Sequence, residues 1–151
     1  MINPGQIAFD IDGVFADTMA LFLEILRKDY GINHIRYEDI TEYFLEDCLD
    51  ISPEIIGTVI NNLRRGDFDG ELEPIEGSVE VLSEIACKAP LVFVTARPTF
   101  SPIKAWVENT LPESPFPIEV IATGGFEAKV DLLKTRGFQY FVEDCLEICF
   151  M

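Results

Sequence analysis

Residues 6–14 read Gln6-Ile7-Ala8-Phe9-Asp10-Ile11-Asp12-Gly13-Val14. An apolar run over 6–11 that breaks into acidic residues and a glycine predicts a buried parallel strand entering a turn. Later runs share that character: Leu91-Val92-Phe93-Val94-Thr95, Ile118-Glu119-Val120-Ile121-Ala122 and Gln139-Tyr140-Phe141-Val142. Amphipathic helical patterns cover 77–88, 101–109 behind Ser101-Pro102, and 126–136, the last stopped by Gly137. This alternation predicts an α/β protein with a Rossmann-like three-layer core, its parallel sheet covered on both faces.

The interval between the first and second strands is too long for one crossover helix. It reads as helical over 18–29 closed by Gly31, over 37–49, and over 53–65 closed by Gly66, with 66–70 as a linker. Ser52-Pro53 is a start signal, a side-chain cap followed by proline in the first turn. The expected organisation is therefore a core of 1–16 and 77–151, with 17–76 as a helical insert over one edge.

The chain has 151 residues, 48% hydrophobic, and 27 Asp and Glu against 11 Lys and Arg, for a net charge of -16. Such a surface repels polyanions, so a nucleic-acid polymer or an anionic membrane is not an expected partner. A small anionic substrate is compatible, given a local cation. No apolar run approaches the length of about 18 residues that a membrane span needs. The N-terminus has neither a basic n-region nor a signal-type core, so the expected location is cytoplasmic. Cys48, Cys87, Cys145 and Cys149 form no Cys-x-x-Cys pair and are expected to be buried reduced thiols.

Open parallel sheets bind ligands at the carboxyl ends of their strands. Polar residues gather there: Asp10 and Asp12 after the first strand, Thr95-Ala96-Arg97 after the second, Thr123 after the third, Glu143-Asp144 after the fourth. Any single Asp could be a turn or capping residue. Together, clustered carboxylates with no His or Cys in the set match Mg²⁺, with Asp10, Asp12 and Asp144 as the candidate metal residues.

The stretch Phe9-Asp10-Ile11-Asp12-Gly13-Val14 resembles the first motif of the haloacid dehalogenase superfamily of phosphotransferases. Three more motifs follow in the family's order: Val92-Phe93-Val94-Thr95-Ala96, Lys129, and Tyr140-Phe141-Val142-Glu143-Asp144. The resemblance implies that Asp10 attacks phosphorus to give an aspartyl-phosphate, and that Asp12 protonates the leaving oxygen and later activates water. It implies Mg²⁺ on Asp10, the Asp12 main-chain carbonyl and Asp144. Thr95, with neighbouring backbone N–H groups including that of Ala96, would hold the phosphate, and Lys129 would neutralise nucleophile and transferring group. Lys134 is the rival for that last role but points to another helix face. Asp12 argues against the dehalogenases, which lack that acid.

The helical insert resembles the family's small cap, which closes over small phosphate esters and excludes water. Asp17 and Thr18 stand at its entrance, either as a helix cap or as substrate contacts. Asp10 to Asp17 and Thr95-Ala96-Arg97-Pro98 are similar to 5′-nucleotidases of the deoxyribonucleotidase type, which implies a nucleoside monophosphate substrate. Arg97 either pairs with substrate or holds its loop by an ion pair. Phe15, Tyr43 and Phe44 either stack on a base or form the insert's own core. His34 reads as a surface residue.

The chain stops seven residues after Asp144 (151 − 144), where the family continues. The core is therefore expected to be truncated, with 148–151 starting a covering helix and a homodimer partner or other chain covering the edge of strand four. Glu143 or Glu147 could assist the metal. A phosphosugar mutase, a receiver-like phospho-acceptor and an acidic binding domain are the competing readings. A receiver has no large insert after its first strand and places its acceptor Asp on a middle strand.

Overall fold

The computed structural model describes residues 2–151. Its elements are β1 (Ile7–Phe9), α1 (Thr18–Tyr30), α2 (Pro53–Arg65), α3 (Ser78–Ala86), β2 (Leu91–Thr95), α4 (Ser101–Thr110), β3 (Ile118–Ala122), α5 (Phe126–Arg136), β4 (Tyr140–Val142) and α6 (Leu146–Cys149). The strands form one sheet in the order β3-β2-β1-β4, every pair parallel. This is the α/β Rossmann-like architecture expected.

The order brings the two ends of the chain together at the site. From β1 the chain winds outward through β2 to β3, then returns to place β4 on the other side of β1. The connections above β1 and β4 diverge and leave a crevice at their carboxyl ends. Asp10, near one end of the chain, and Asp144, near the other, are thereby brought to the same spot.

β2 is the most buried strand, with Leu91, Phe93, Val94 and Thr95 all enclosed. β4 lies at the sheet edge, and its Tyr140 and Val142 are exposed. Buried apolar residues of the insert (Leu21, Phe22, Leu26, Ile56, Val59, Leu63) and of the sheet region (Phe9, Ile11, Leu82, Leu91, Phe93) form one continuous cluster. Phe15 belongs to that core: its ring lies 5.6 Å from Phe93 and 4.7 Å from Trp106. The two chain segments leading into and out of the insert are zipped together, Asp17 N–H to the Glu73 carbonyl and Ile75 N–H to the Phe15 carbonyl, both 2.8 Å. Trp106 Nε1–H fastens the return segment by donating to the Leu72 carbonyl at 2.6 Å.

Some expectations are corrected. Residues 37–49 are not a helix but two 3-10 turns, Tyr37–Asp39 and Leu45–Asp47, with Ile40 and Phe44 extended. In a continuous helix Glu38, Glu42 and Glu46 would stand one turn apart, and such i,i+4 like charges repel. Ser52 caps α2 with its carbonyl, which accepts from Ile55 and Ile56, and its side chain makes no capping bond. Only Cys145 is buried; Cys48 is half-buried, Cys87 and Cys149 are exposed, and all four are free thiols. Cys87 follows α3 beyond its inward face, and Cys149 lies in the one-turn α6, which presents only Ile148 inward. No helix among the described residues is long and apolar enough to cross a membrane.

Candidate active site

β1 hands Asp10 to the crevice with its backbone N–H bonded to the Val142 carbonyl of β4 at 2.9 Å. The chain then folds back tightly, the N–H groups of Phe15 and Ala16 both donating to the Ile11 carbonyl. Gly13 makes this possible. Its φ is +75°, a conformation that disfavours any Cβ, and a Cβ there would lie 2.1 Å from Asp144 Oδ2. The glycine is thus where the first and fourth motifs touch. Gly13→Ala is expected to displace Asp144, lowering stability by about 1–3 kcal/mol and turnover by roughly 10²-fold or more. Urea unfolding and phosphate release measure the two effects.

Lys129 sits in the first turn of α5 and is 1% exposed. Its ammonium is 2.9 Å from Asp10 Oδ1 and 2.7 Å from Glu143 Oε2, and lies 5.0 Å from the Phe141 ring centre. The Glu143 contact is an ion pair outside hydrogen-bond geometry, so Glu143 Oε2 is a buried oxygen with no hydrogen-bond donor among the described residues. Lys134 is exposed and donates to the Met151 carbonyl at 2.7 Å.

Carboxylate oxygens of Asp10, Glu143 and Asp144 lie within 4.8 Å of one another. Burial pushes the Asp10 carboxyl up to about 7; Lys129 opposes the rise, and the charges of Glu143 and Asp12 add to it. The Asp144 carboxyl also rises to about 7, through burial and then the close approach of the Glu143 carboxylate. One lysine does not neutralise this group. The close spacing, the orphaned Glu143 oxygen and the all-oxygen donor set fit a hard divalent cation.

The structure brings Asp10 and Asp144 of the expected metal set together with Glu143, and the Asp12 side chain, expected to offer only its main-chain carbonyl, stands outside this group. The Asp12 carboxylate faces away toward β2. It accepts from Arg97 Nε at 2.9 Å and Nη2 at 2.6 Å, and from the Thr18 hydroxyl at 2.5 Å. Burial alone would raise its carboxyl, but the hydrogen bonds and charge of Arg97 and the Thr18 bond hold it below the usual range. These bonds hold the Asp12 carboxylate in one orientation. Of the roles open to Arg97, the geometry is that of an ion pair.

Thr95 ends β2, is buried, and accepts from the Arg97 backbone N–H at 3.2 Å. Its carbonyl accepts from Thr123 N–H at 2.9 Å, which ties the β3 end to the β2 end. Asp17 is the cap of α1, accepting from Ala20 N–H at 3.0 Å and from the Tyr37 hydroxyl at 3.1 Å. Glu147 accepts from the Cys145 thiol and stands outside the carboxylate group. His34 is exposed.

A cavity of about 410 Å³ opens above these groups. Every site residue expected from the sequence lines it: Asp10, Asp12, Thr95, Ala96, Arg97, Lys129 and Asp144. Its far wall is apolar, built from Ile56, Gly57 and Ile60 of α2 together with Tyr43, Phe44 and Phe126. Tyr43 and Phe126 face each other at 6.1 Å, and burial followed by the Asp144 charge pushes the Tyr43 hydroxyl up. Arg64 also lines the cavity. Sequence reasoning missed it, because an arginine in the last turn of a helix reads as a partner of the helix dipole.

The family model for 5′ nucleotidase, deoxy (Pyrimidine), cytosolic type C protein matches residues 4–131. The chain belongs to this family. A cytosolic-type-C 5′-nucleotidase is a phosphatase acting on phosphomonoesters, of the haloacid dehalogenase type, and such nucleotidases generally depend on a metal ion. No curated protein and no solved structure gives a match. In this nucleotidase the family match ends before Glu143 and Asp144. The fourth motif is carried by geometry alone, namely the contact at Gly13 and the carboxylate group around Lys129.

Proposed function

We propose that the chain hydrolyses a nucleoside monophosphate through an aspartyl-phosphate on Asp10, with residues 17–76 forming a cap over a core of 1–16 and 77–151. The observation that carries this is the meeting of Asp10, Asp144 and Lys129 at the floor of a cavity that also has an aromatic and aliphatic wall, with Glu143 against Lys129 outside the lining. A phosphate fits the floor and a planar base the wall. The family's cytosolic designation supports residence in the cytosol.

Asp10, Glu143 and Asp144, with the Asp12 main-chain carbonyl, would hold Mg²⁺. Bound there, the ion would screen the Asp10 carboxylate from the phosphate dianion it attacks. An Asp10 oxygen forms a bond to phosphorus as the ester P–O bond breaks, and the leaving oxygen takes a proton from Asp12. Water then attacks phosphorus, Asp12 accepts its proton, and phosphate leaves with Asp10 regenerated. Arg97 and Thr18 hold Asp12 ionised without substrate, so its protonation belongs to the substrate-bound state. Thr95 and the Ala96 N–H hold phosphate oxygens, and Lys129 offsets charge at the nucleophile.

The test is phosphate release from nucleoside and deoxynucleoside 5′-monophosphates, sugar phosphates and p-nitrophenyl phosphate, with and without Mg²⁺. Turnover of nucleotides above the other esters, lost on chelation, is the expected result. No turnover of any ester overturns the enzyme reading, and transfer between sugar positions without release favours a mutase. Gly57 refines the pocket assignment. A Cβ there would meet nothing within 4 Å, so packing does not require the glycine, which costs a helix interior about 1 kcal/mol. Gly57→Ala is expected to raise thermal stability slightly, raise KM for nucleotides several-fold, and leave p-nitrophenyl phosphate unchanged.

Metal binding is expected to invert the pH dependence of stability. The Asp10 and Asp144 carboxyls are raised in the folded chain from 3.8 to about 7, so the folded state binds more protons between those values. Stability of the metal-free protein then falls as pH rises through that window. Mg²⁺ competes with those protons, so the melting shift it produces should be larger at pH 8 than at pH 5.5. Equal shifts at both values would argue against these carboxylates as its ligands.

A further inference from the structure

Arg97 is 3% exposed, and its side-chain nitrogens serve two different parts of the molecule. Nε and Nη2 form a two-pronged fork on the Asp12 carboxylate at 2.9 and 2.6 Å. Nη1 donates to the Leu63 carbonyl at 2.7 Å. Leu63 lies in the last turn of α2, and its carbonyl also accepts from the Gly66 N–H of the helix cap at 3.2 Å. The segment that follows β2, through the first turn of α4, fastens that turn twice more. The Thr99 hydroxyl donates to the Arg64 carbonyl at 3.2 Å, and Gly66 approaches so closely that a Cβ there would lie 2.7 Å from Pro102 Cβ.

We propose that Arg97 is a positioning residue that aligns the Asp12 carboxylate only while α2 is seated over the site, one guanidinium coupling the insert to the acid–base group. This rests on the reading of Asp12 as that group. The guanidinium is planar and its donors have fixed directions. If α2 lifts, Nη1 loses the Leu63 carbonyl and the plane is free to rotate about the Asp12 fork, which weakens hydrogen bonds steeply as angles open. Proton transfer to the leaving oxygen is thereby confined to the closed cavity, from which bulk water is excluded. Lysine keeps the charge but cannot make this set of bonds.

The experiment is a mutant cycle on nucleotide turnover with Arg97→Lys, Thr99→Val and Gly66→Ala. Arg97→Lys should lower kcat roughly 10- to 100-fold with KM within about 3-fold. Its effect on the single-turnover phosphorylation step should be much smaller for p-nitrophenyl phosphate, whose leaving group needs no proton. Thr99→Val and Gly66→Ala, which loosen α2 without touching Asp12, should lower kcat in the native background and add little in the Arg97→Lys background. Should Gly66→Ala fail to fold, Thr99→Val alone decides the cycle. Equal factors in both backgrounds, or a change in KM alone, overturns the coupling. Hydrogen exchange at residues 63–67 reports the latch without turnover: faster exchange in Arg97→Lys supports it, and unchanged exchange overturns it. Full turnover by Asp12→Asn would instead sink the acid–base reading.

Discussion

Asp10→Asn is expected to abolish phosphate release, by about 10⁴-fold or more, while raising the melting temperature of the metal-free protein at pH 8. The first effect follows from chemistry: an amide of the same shape has no anionic oxygen with which to attack phosphorus. The second follows from burial. The Asp10 carboxyl is pushed up to about 7, so at pH 8 its charge opposes folding, and the neutral amide removes that opposition. Lys129 keeps Glu143 at 2.7 Å, so the substitution leaves no unpaired ammonium. Acid-quenched protein incubated with labelled substrate should carry label on the native chain and none on the variant. A variant that keeps turnover and melts lower would remove Asp10 as nucleophile.

Lys129→Met should have the largest effect on stability. The lysine is the only cation paired with Asp10 and Glu143 among the described residues, and both of those carboxylates are buried. Removing one partner of a buried pair costs about 3–5 kcal/mol, because the remaining charges stay desolvated and unpaired. Urea unfolding at pH 8 should show that loss, and at pH 5.5 a smaller one, since carboxyls without a cation protonate more readily. Mg²⁺ should restore part of the stability and none of the turnover, which separates charge neutralisation in the fold from charge placement at the phosphate. The exposed Lys134, changed the same way, should stay within about 0.5 kcal/mol of the parent. A Lys134 variant that loses activity while Lys129→Met keeps it would reverse the two assignments.

Much of the fold was legible because its signals are local. The bounds of β2, β3, α2 and α5 follow from apolar runs and from punctuation by Pro53, Gly66 and Gly137. Residues 37–49 misled because their apolar groups have a helical spacing that the acidic Glu38, Glu42 and Glu46 share. Only superimposing the two patterns reveals the stacked like charges that break the helix. Within the site, the strand-end polar residues were visible one at a time. The engagement of Asp12 was not. It depends on Arg97, 85 positions away, and on the register between β1 and β2.

What the sequence determined by itself is the order of strands and helices, the insert after β1, and which side chains stand at the strand ends, since those depend on neighbours along the chain. What the tertiary structure decided is which of those side chains meet. Placing β4 beside β1 put Glu143 within reach of Lys129 and Asp144 against Gly13, while bringing the end of α2 against the segment after β2 gave Arg97 its second partner. The physical reason is that ion pairs and metal-binding carboxylates act through distances of a few ångströms in space, and strand order, which no local pattern encodes, sets those distances.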